Sequence, residues 1–235
     1  AIEINSLNWI GYFKLGELYL KQGEWLKGFD LFKWRIKEQD HFVDDMELKE
    51  IDFNKELHIY DDQGIGDKIL NIRFLDKLRN KVSKGVYLYV DPRLITIFKI
   101  NFPDFIVNER PKNIVYKPNC IHLNLSSLCR YFVKNDEDLL PINLKLPKNT
   151  AVFDGLIKLK KEKKIIGISW KSNNKAIGEK KSIPLKMFFS KLSNIKNIIF
   201  VNLQYGDTSD EINAIQKEFN VDIVNFKNLN LYDDI

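Results

Sequence analysis

The chain has 235 residues, 44% hydrophobic and 29% charged, a balance that excludes a disordered or collagen-like polypeptide and allows one large domain or two small ones. Lys and Arg number 37 against 32 Asp and Glu, for a net charge of +5, which fits a nucleic-acid binder and equally a protein that handles phosphorylated substrates. No run approaches the ~20 apolar residues that span a bilayer, no secretory pattern opens the chain, and Cys120 and Cys129 sit in no CxxC or Cys/His cluster, which argues against a disulfide scaffold and against structural zinc.

Residues 7–37 read as two helices. Trp9, Tyr12, Phe13, Leu15, Tyr19 and Leu20, then Trp25, Leu26, Phe29, Leu31, Phe32 and Ile36, recur at roughly the helical period. Lys21-Gln22-Gly23-Glu24 stops the first helix, with Gly23 free to take positive φ. Small residues at Gly16 and Gly28 let the pair approach closely, and the large and small positions fall where a tetratricopeptide repeat (TPR) has them. No second copy follows, so the hairpin must bury its apolar face on the next domain or on other repeats. Residues 38–56 are polar and read as a linker, placing a helical segment at 1–50.

Alternation begins next. Leu57–Tyr60 reads as a strand, and Ile69 to Leu78 as a helix. Val86–Val90 is a strand, Pro92 to about Ile100 a helix, and Phe105–Val107, Asn113–Tyr116 and Cys120–Leu125 are short strands. This pattern predicts an α/β domain at 51–148 whose parallel sheet is covered on both faces. Pro141 and Pro147 mark a boundary. A basic helix from Val152 to Lys164 opens a second run, 149–235, with strands at 165–170, 198–203 and 221–226 and helices at 184–192 and 209–219. The chain begins without Met and stops within an alternating pattern, so it reads as a piece of a longer protein.

Two turns at carboxyl ends of strands can carry chemistry, since ligands of open parallel sheets bind there. In Asp62-Gln63-Gly64-Ile65-Gly66-Asp67, the glycines let backbone approach a ligand. The pattern is neither a dinucleotide fingerprint nor a Walker loop, and Asp67 disfavours an anion there. Asp67 can serve as general base toward a hydroxyl or simply as a cap of the following helix, and the residues alone favour the cap. In Ser169-Trp170-Lys171-Ser172-Asn173-Asn174 through Lys180-Lys181-Ser182-Ile183-Pro184, hydroxyls, amides and lysines suit a diphosphate, or form a lysine-rich surface loop. Residues 158–164 and 171–181 together hold nine lysines against two glutamates, and the first of these runs reads as a solvated face. Leu203-Gln204-Tyr205-Gly206 is a βα turn that could also meet a nucleotide. His41, His58 and His122 are scattered. No metal spacing exists, and aromatics are not interleaved with basic residues as a single-strand nucleic-acid reader needs.

The chain resembles bacterial TPR-containing glycosyltransferase-like proteins of GT-B type, related to lipopolysaccharide heptosyltransferases and more distantly to O-linked N-acetylglucosamine transferases. The resemblance rests on Gly28–Arg35, Asp62–Asp67, Ile121–Leu128, Ile166–Trp170, Lys181–Leu185 and Val201–Gln204, in family order. It implies two Rossmann-like domains, the acceptor facing the first and a nucleotide-sugar donor the second. Asp67 would be the catalytic base. Ser169, Lys171, Lys180, Lys181, Ser182 and Gln204 would form the donor-phosphate side, and Asp62, Gln63, Gly64, Gly66 and His122 the acceptor side. Electrostatic stabilisation of the leaving diphosphate needs no metal and no further cofactor. The acceptor would be a glycan, lipid or protein, the location cytoplasmic, with no nucleic acid and no membrane span. Family members carry Glu at the position of Asp62 and Arg at that of Lys181, and Lys lacks the bidentate fork of Arg. A later His-Ala-Gly segment of the family would lie beyond Ile235, which implies an unfinished donor pocket. The alternative reading is a non-catalytic interaction module that holds a protein partner through the hairpin.

Overall fold

The computed structural model describes residues 8–38, 43–45, 48–147, 150–160, 163–172, 178–192 and 196–226. His41, Asn173 and Asn174 lie outside the described residues. The chain divides into two compact units, Ala1–Pro147 and Lys148–Ile235, so the helical segment belongs with the first α/β layer.

In the first unit, α1 (Trp9–Lys21) and α2 (Trp25–Phe32) form a hairpin. Asn8 caps α1, its Oδ1 accepting the Gly11 N–H at 3.0 Å, and Gly23 makes the turn at φ 76. The two helices touch where side chains are missing. A Cβ on Gly28 would stand 3.0 Å from the Leu20 nitrogen, and one on Gly16 would stand 3.0 Å from that of Phe32. The second helix ends before the expected Ile36, and Lys33–Glu38 continues as a 3-10 helix.

Four parallel strands follow: β1 (Leu57–Tyr60), β2 (Val86–Val90), β3 (Ile106–Glu109) and β4 (Ile121–Asn124), in the order β3-β2-β1-β4. Because side chains alternate along a strand, Leu57, Ile59, Leu88 and Leu123 share one face. There they are buried against residues of α4 (Ile95–Asn101) and α5 (Leu128–Phe132). The helix expected to run to Leu78 is α3 (Ile65–Asn71) only, followed by 3-10 turns at Ile72–Phe74 and Asp76–Leu78. Ile72, Leu75 and Leu78 are all fully buried. Their spacing of three matches the three-residue turn of a 3-10 helix better than an α-helix.

The opposite face of this sheet departs from the expected helical cover. It carries stacked rings: His58 on Tyr87 at 4.7 Å, His58 on His122 at 4.8 Å, and Tyr60 on Tyr89 at 4.5 Å. The connection from β3 to β4 runs over it as an extended strap, residues 110–120, with Tyr116 against His122. The strand expected at Asn113–Tyr116 is part of this strap and joins neither sheet. Pro111 and Pro118, near its ends, have no N–H to give to a ladder.

The second unit contains α6 (Thr150–Lys160), β5 (Lys164–Ile168), α7 (Leu185–Leu192), β6 (Ile198–Asn202), α8 (Ser209–Phe219) and β7 (Ile223–Val224). Its strands are also parallel, ordered β5-β6-β7. Leu185, Phe189, Phe200, Ile212 and Ile215 form its core. Asn220 ends α8 in the left-handed conformation, φ 51. Among the described residues, no helix is long and apolar enough to cross a membrane.

Candidate functional site

The strand order of the first unit reverses between β1 and β4, since β1 leads toward β2 on one side while β4 returns on the other. The crevice outside the carboxyl ends of such strands is the usual ligand position of an open parallel sheet. Two segments meet there, Asp61–Asp67 after β1 and Leu125–Ser127 after β4.

Asp62 joins them. Its Oδ1 accepts the Ser126 N–H at 2.9 Å, and its Oδ2 accepts the Ser126 hydroxyl. The Arg35 guanidinium, delivered by the 3-10 turn after α2, lies 3.2 Å from the same Oδ2 and donates to Ser127 Oγ at 2.9 Å. Arg35 and Asp62 side chains are 1% and 0% exposed. Asp62 is therefore a buried anchor, and its carboxylate is spent within the fold rather than offered to an acceptor. Asp61 is pinned likewise, by Lys68 at 2.9 Å and Arg110 at 3.2 Å. On the other side of the crevice, Asn124 donates to the Val43 carbonyl at 2.7 Å, and its backbone N–H donates to Asp45 at 2.9 Å. Burial holds the Asp45 carboxyl above its ordinary range, a shift that Arg35 only partly opposes.

The rest of the turn faces outward. Gln63 takes the left-handed conformation at φ 67, while Gly64 does not. A Cβ on Gly66 would meet nothing within 4 Å, and one on Gly64 would meet only Asp67 Oδ2 at 3.4 Å. These glycines are thus required neither by φ nor by packing, and they leave bare backbone at the crevice. Asp67 is exposed; its Oδ2 accepts the Gly64 N–H at 3.3 Å and caps α3, as the plain reading of the residue expects. Its Oδ1 has no hydrogen-bond partner among the described residues.

Gln63 and Asp67 rim a cavity of about 460 Å³. Phe13, Phe29 and Phe32 of the hairpin form one wall, and Arg73 contributes the cationic group. The Arg73 guanidinium donates to the carbonyls of Leu70 and Leu139. Cys129 also borders the cavity, but burial pushes its thiol up to about 12, so it offers no thiolate nucleophile at neutral pH. His122 is not part of this group. It lies on the strap-covered face, where Nε2 accepts the Lys117 N–H at 3.0 Å and Nδ1 meets Tyr60 Oη at 3.3 Å. Burial lowers its pKa.

In the second unit, Gln204 is buried and holds the loop after β5. Its Oε1 accepts the backbone N–H groups of Trp170 and Lys171 at 3.0 and 2.9 Å and the Ser169 hydroxyl at 3.1 Å. Ser182 braces the same loop. Its hydroxyl donates to the Gly178 carbonyl and accepts the Ser172 N–H, and its own N–H donates to Glu179. Lys171 pairs with Glu211 at 3.0 Å. Of the six residues expected on the donor side, Ser169, Lys180 and Lys181 are exposed; the Ser169 hydroxyl is committed to Gln204, and neither lysine has an ion-pair partner among the described residues. Arg35 is the residue that sequence reasoning left without a role. Its one signal was an arginine set within the aromatic run Phe32-Lys33-Trp34-Arg35-Ile36. Set against protein-family models, curated proteins and solved structures, the chain matches none.

Proposed function

We propose that the chain serves metal-independent glycosyl transfer from a nucleotide-sugar to a hydroxyl acceptor, with a TPR-like hairpin and GT-B-type halves. The observation that carries this reading is Asp67. It is an exposed carboxylate with one uncommitted oxygen, at the carboxyl edge of β1, beside two glycines whose backbone faces open space and above a cavity with an aromatic wall. Aromatic faces suit a sugar ring or a hydrocarbon chain. In the reaction, Asp67 takes the acceptor hydroxyl proton. The acceptor oxygen forms its bond to the anomeric carbon as the bond from that carbon to the diphosphate breaks, and the electron pair leaves with the diphosphate. Lys180 and Lys181 stabilise that leaving charge.

Titration of the full chain with UDP-, ADP- and GDP-sugars tests this. Binding of one of them, weakened by Lys180→Ala with Lys181→Ala, supports the donor assignment. Asp67→Asn should leave donor binding intact and lower transfer by about 10²- to 10⁴-fold, the usual share of a general base. If no nucleotide-sugar binds, the reading fails.

A non-catalytic interaction module is favoured by a different observation: Ile10, Leu18 and Leu26 on the hairpin are 52%, 50% and 61% exposed. That reading expects Asp67→Asn to change nothing measurable.

A further inference from the structure

Away from the crevice, at the amino-terminal edge of the first sheet, the pairing of β1 with β4 assembles a second group of side chains. The register sets Leu57 opposite Ile121 and His58 opposite His122. One step earlier, the Ile121 N–H donates to the Glu56 carbonyl at 2.9 Å, which brings Glu56 beside Cys120. Because every second residue shares a face, Glu56-Leu57-His58 and Cys120-Ile121-His122 place four ligand-type side chains at the corners of one small rectangle.

Three of them converge. Glu56 Oε2 lies 3.4 Å from His58 Nε2 and 3.4 Å from Cys120 Sγ, and the ligand atoms of Glu56, His58 and Cys120 all lie within 4.8 Å of one another. Metal–ligand bonds of about 2.0–2.3 Å in a tetrahedral zinc site give ligand–ligand edges of about 3.3–3.8 Å. Two edges of such a tetrahedron are already present. The fourth corner, His122, is turned away, since its ring stacks on that of His58 and both its nitrogens have partners. On the far side of the His58 ring, Nδ1 meets Tyr89 Oη at 3.0 Å. A tyrosine oxygen there can accept the Nδ1 proton and leave Nε2 as the ligand nitrogen, the outer-shell arrangement that orients metal-binding histidines.

A cation already sits at this point. Lys117 Nζ lies 2.6 Å from the same Glu56 oxygen, at the end of a half-exposed side chain. We propose that Glu56, His58 and Cys120 form a zinc site at the amino edge of the sheet, with a water as fourth ligand and Lys117 displaced when the metal enters. Carboxylate, imidazole and thiolate together are a borderline donor set that zinc accepts. The thiol proton of Cys120 passes to solvent on binding. Strand β1 separates the site from the Asp67 crevice by four residues, roughly 13 Å. The metal would tie the end of the 110–120 strap to β1, a structural clasp independent of any transfer chemistry.

Cobalt(II) titration of the full, reduced chain reads this directly. One equivalent should bring visible ligand-field bands of tetrahedral intensity and a near-ultraviolet thiolate charge-transfer band. Zinc should displace both and raise the melting temperature with concentration. Cys120→Ser should abolish the charge-transfer band and weaken zinc by at least about 10- to 100-fold, whereas Cys129→Ser should keep the band. Lys117→Ala should tighten zinc by roughly two- to fivefold, the worth of an exposed ion pair the metal no longer breaks. No bands at one equivalent, or bands that survive Cys120→Ser, would overturn the proposal.

Discussion

After β1 the first unit secures its loop with buried carboxylates, Asp61 and Asp62, held by Lys68, Arg110 and Arg35. After β5 the second unit secures the equivalent loop with one uncharged amide, Gln204. The difference lies in what each pin demands of its surroundings. A buried charge needs a counter-charge brought from elsewhere in the chain, so the first loop depends on Arg35, 27 residues upstream. A buried amide needs only matched hydrogen bonds, which the backbone and a hydroxyl at the end of the adjacent strand β5 supply. The first arrangement ties its loop to the hairpin through charge, and the second ties two strand ends 34 residues apart without any.

The largest effect should come from breaking the charged pin. Asp62→Ala leaves the Arg35 guanidinium buried without its carboxylate and should cost about 3–5 kcal/mol, read as a lowered urea midpoint of the first unit. Gln204→Ala strands the N–H groups of Trp170 and Lys171 at a cost of about 1–3 kcal/mol. It should appear as faster hydrogen exchange at those two amides, with the first unit untouched.

The smallest effect is the response to pH, and it should separate two acids of the first unit by sign. Hydrogen bonds from Arg93, aided by Lys68, hold the Asp91 carboxyl well below the usual 3.8. Its stabilisation is present above that value and is lost as pH falls beneath it. Burial raises Asp45 above 3.8, so its contribution is full below that value and is lost as pH rises through its folded pKa. Melting of Asp91→Asn should therefore show a shallower loss of stability below about pH 4, and that of Asp45→Asn a change confined to the region above it. The Gln204 pin has no proton to lose and should hold across the range. Identical pH profiles for both variants would break the contrast.

Much of the architecture was legible because local signals agreed. Trp9 to Lys21 and Trp25 to Phe32 show helical periodicity, Gly23 marks the turn, and the runs at Leu57, Val86, Ile121, Ile165 and Ile198 are β-prone. The errors lie where tertiary geometry overrides local preference. Ile72, Leu75 and Leu78 carry an apolar pattern that both α and 3-10 geometry can satisfy, and the sheet beneath them selects the tighter turn. Asn113–Tyr116 has strand-forming residues but must cross a face of aromatic rings instead of joining an edge. The Asp62–Asp67 turn was visible as a unit, yet nothing local separates Asp62, which points inward to Arg35, from Asp67, which points out. Gln204 and Ser182 looked like ligand groups because braces and binders use the same amides and hydroxyls. Glu56, His58 and Cys120 could not be grouped at all without knowing that β4 lies beside β1, since 62 residues separate His58 from Cys120.

The Arg35–Asp62 contact also bears on where this protein can be cut. A shortened version beginning at residue 51, the edge that polarity alone suggests, would keep every strand of the first sheet and lose the guanidinium that neutralises the buried Asp62. Such a trimmed chain would have to let water reach Asp62 or protonate it, and either change slackens the grip of Ser126 on the turn that carries Gln63 and Asp67. The amino-terminal helices are in this sense a keystone rather than an appendage.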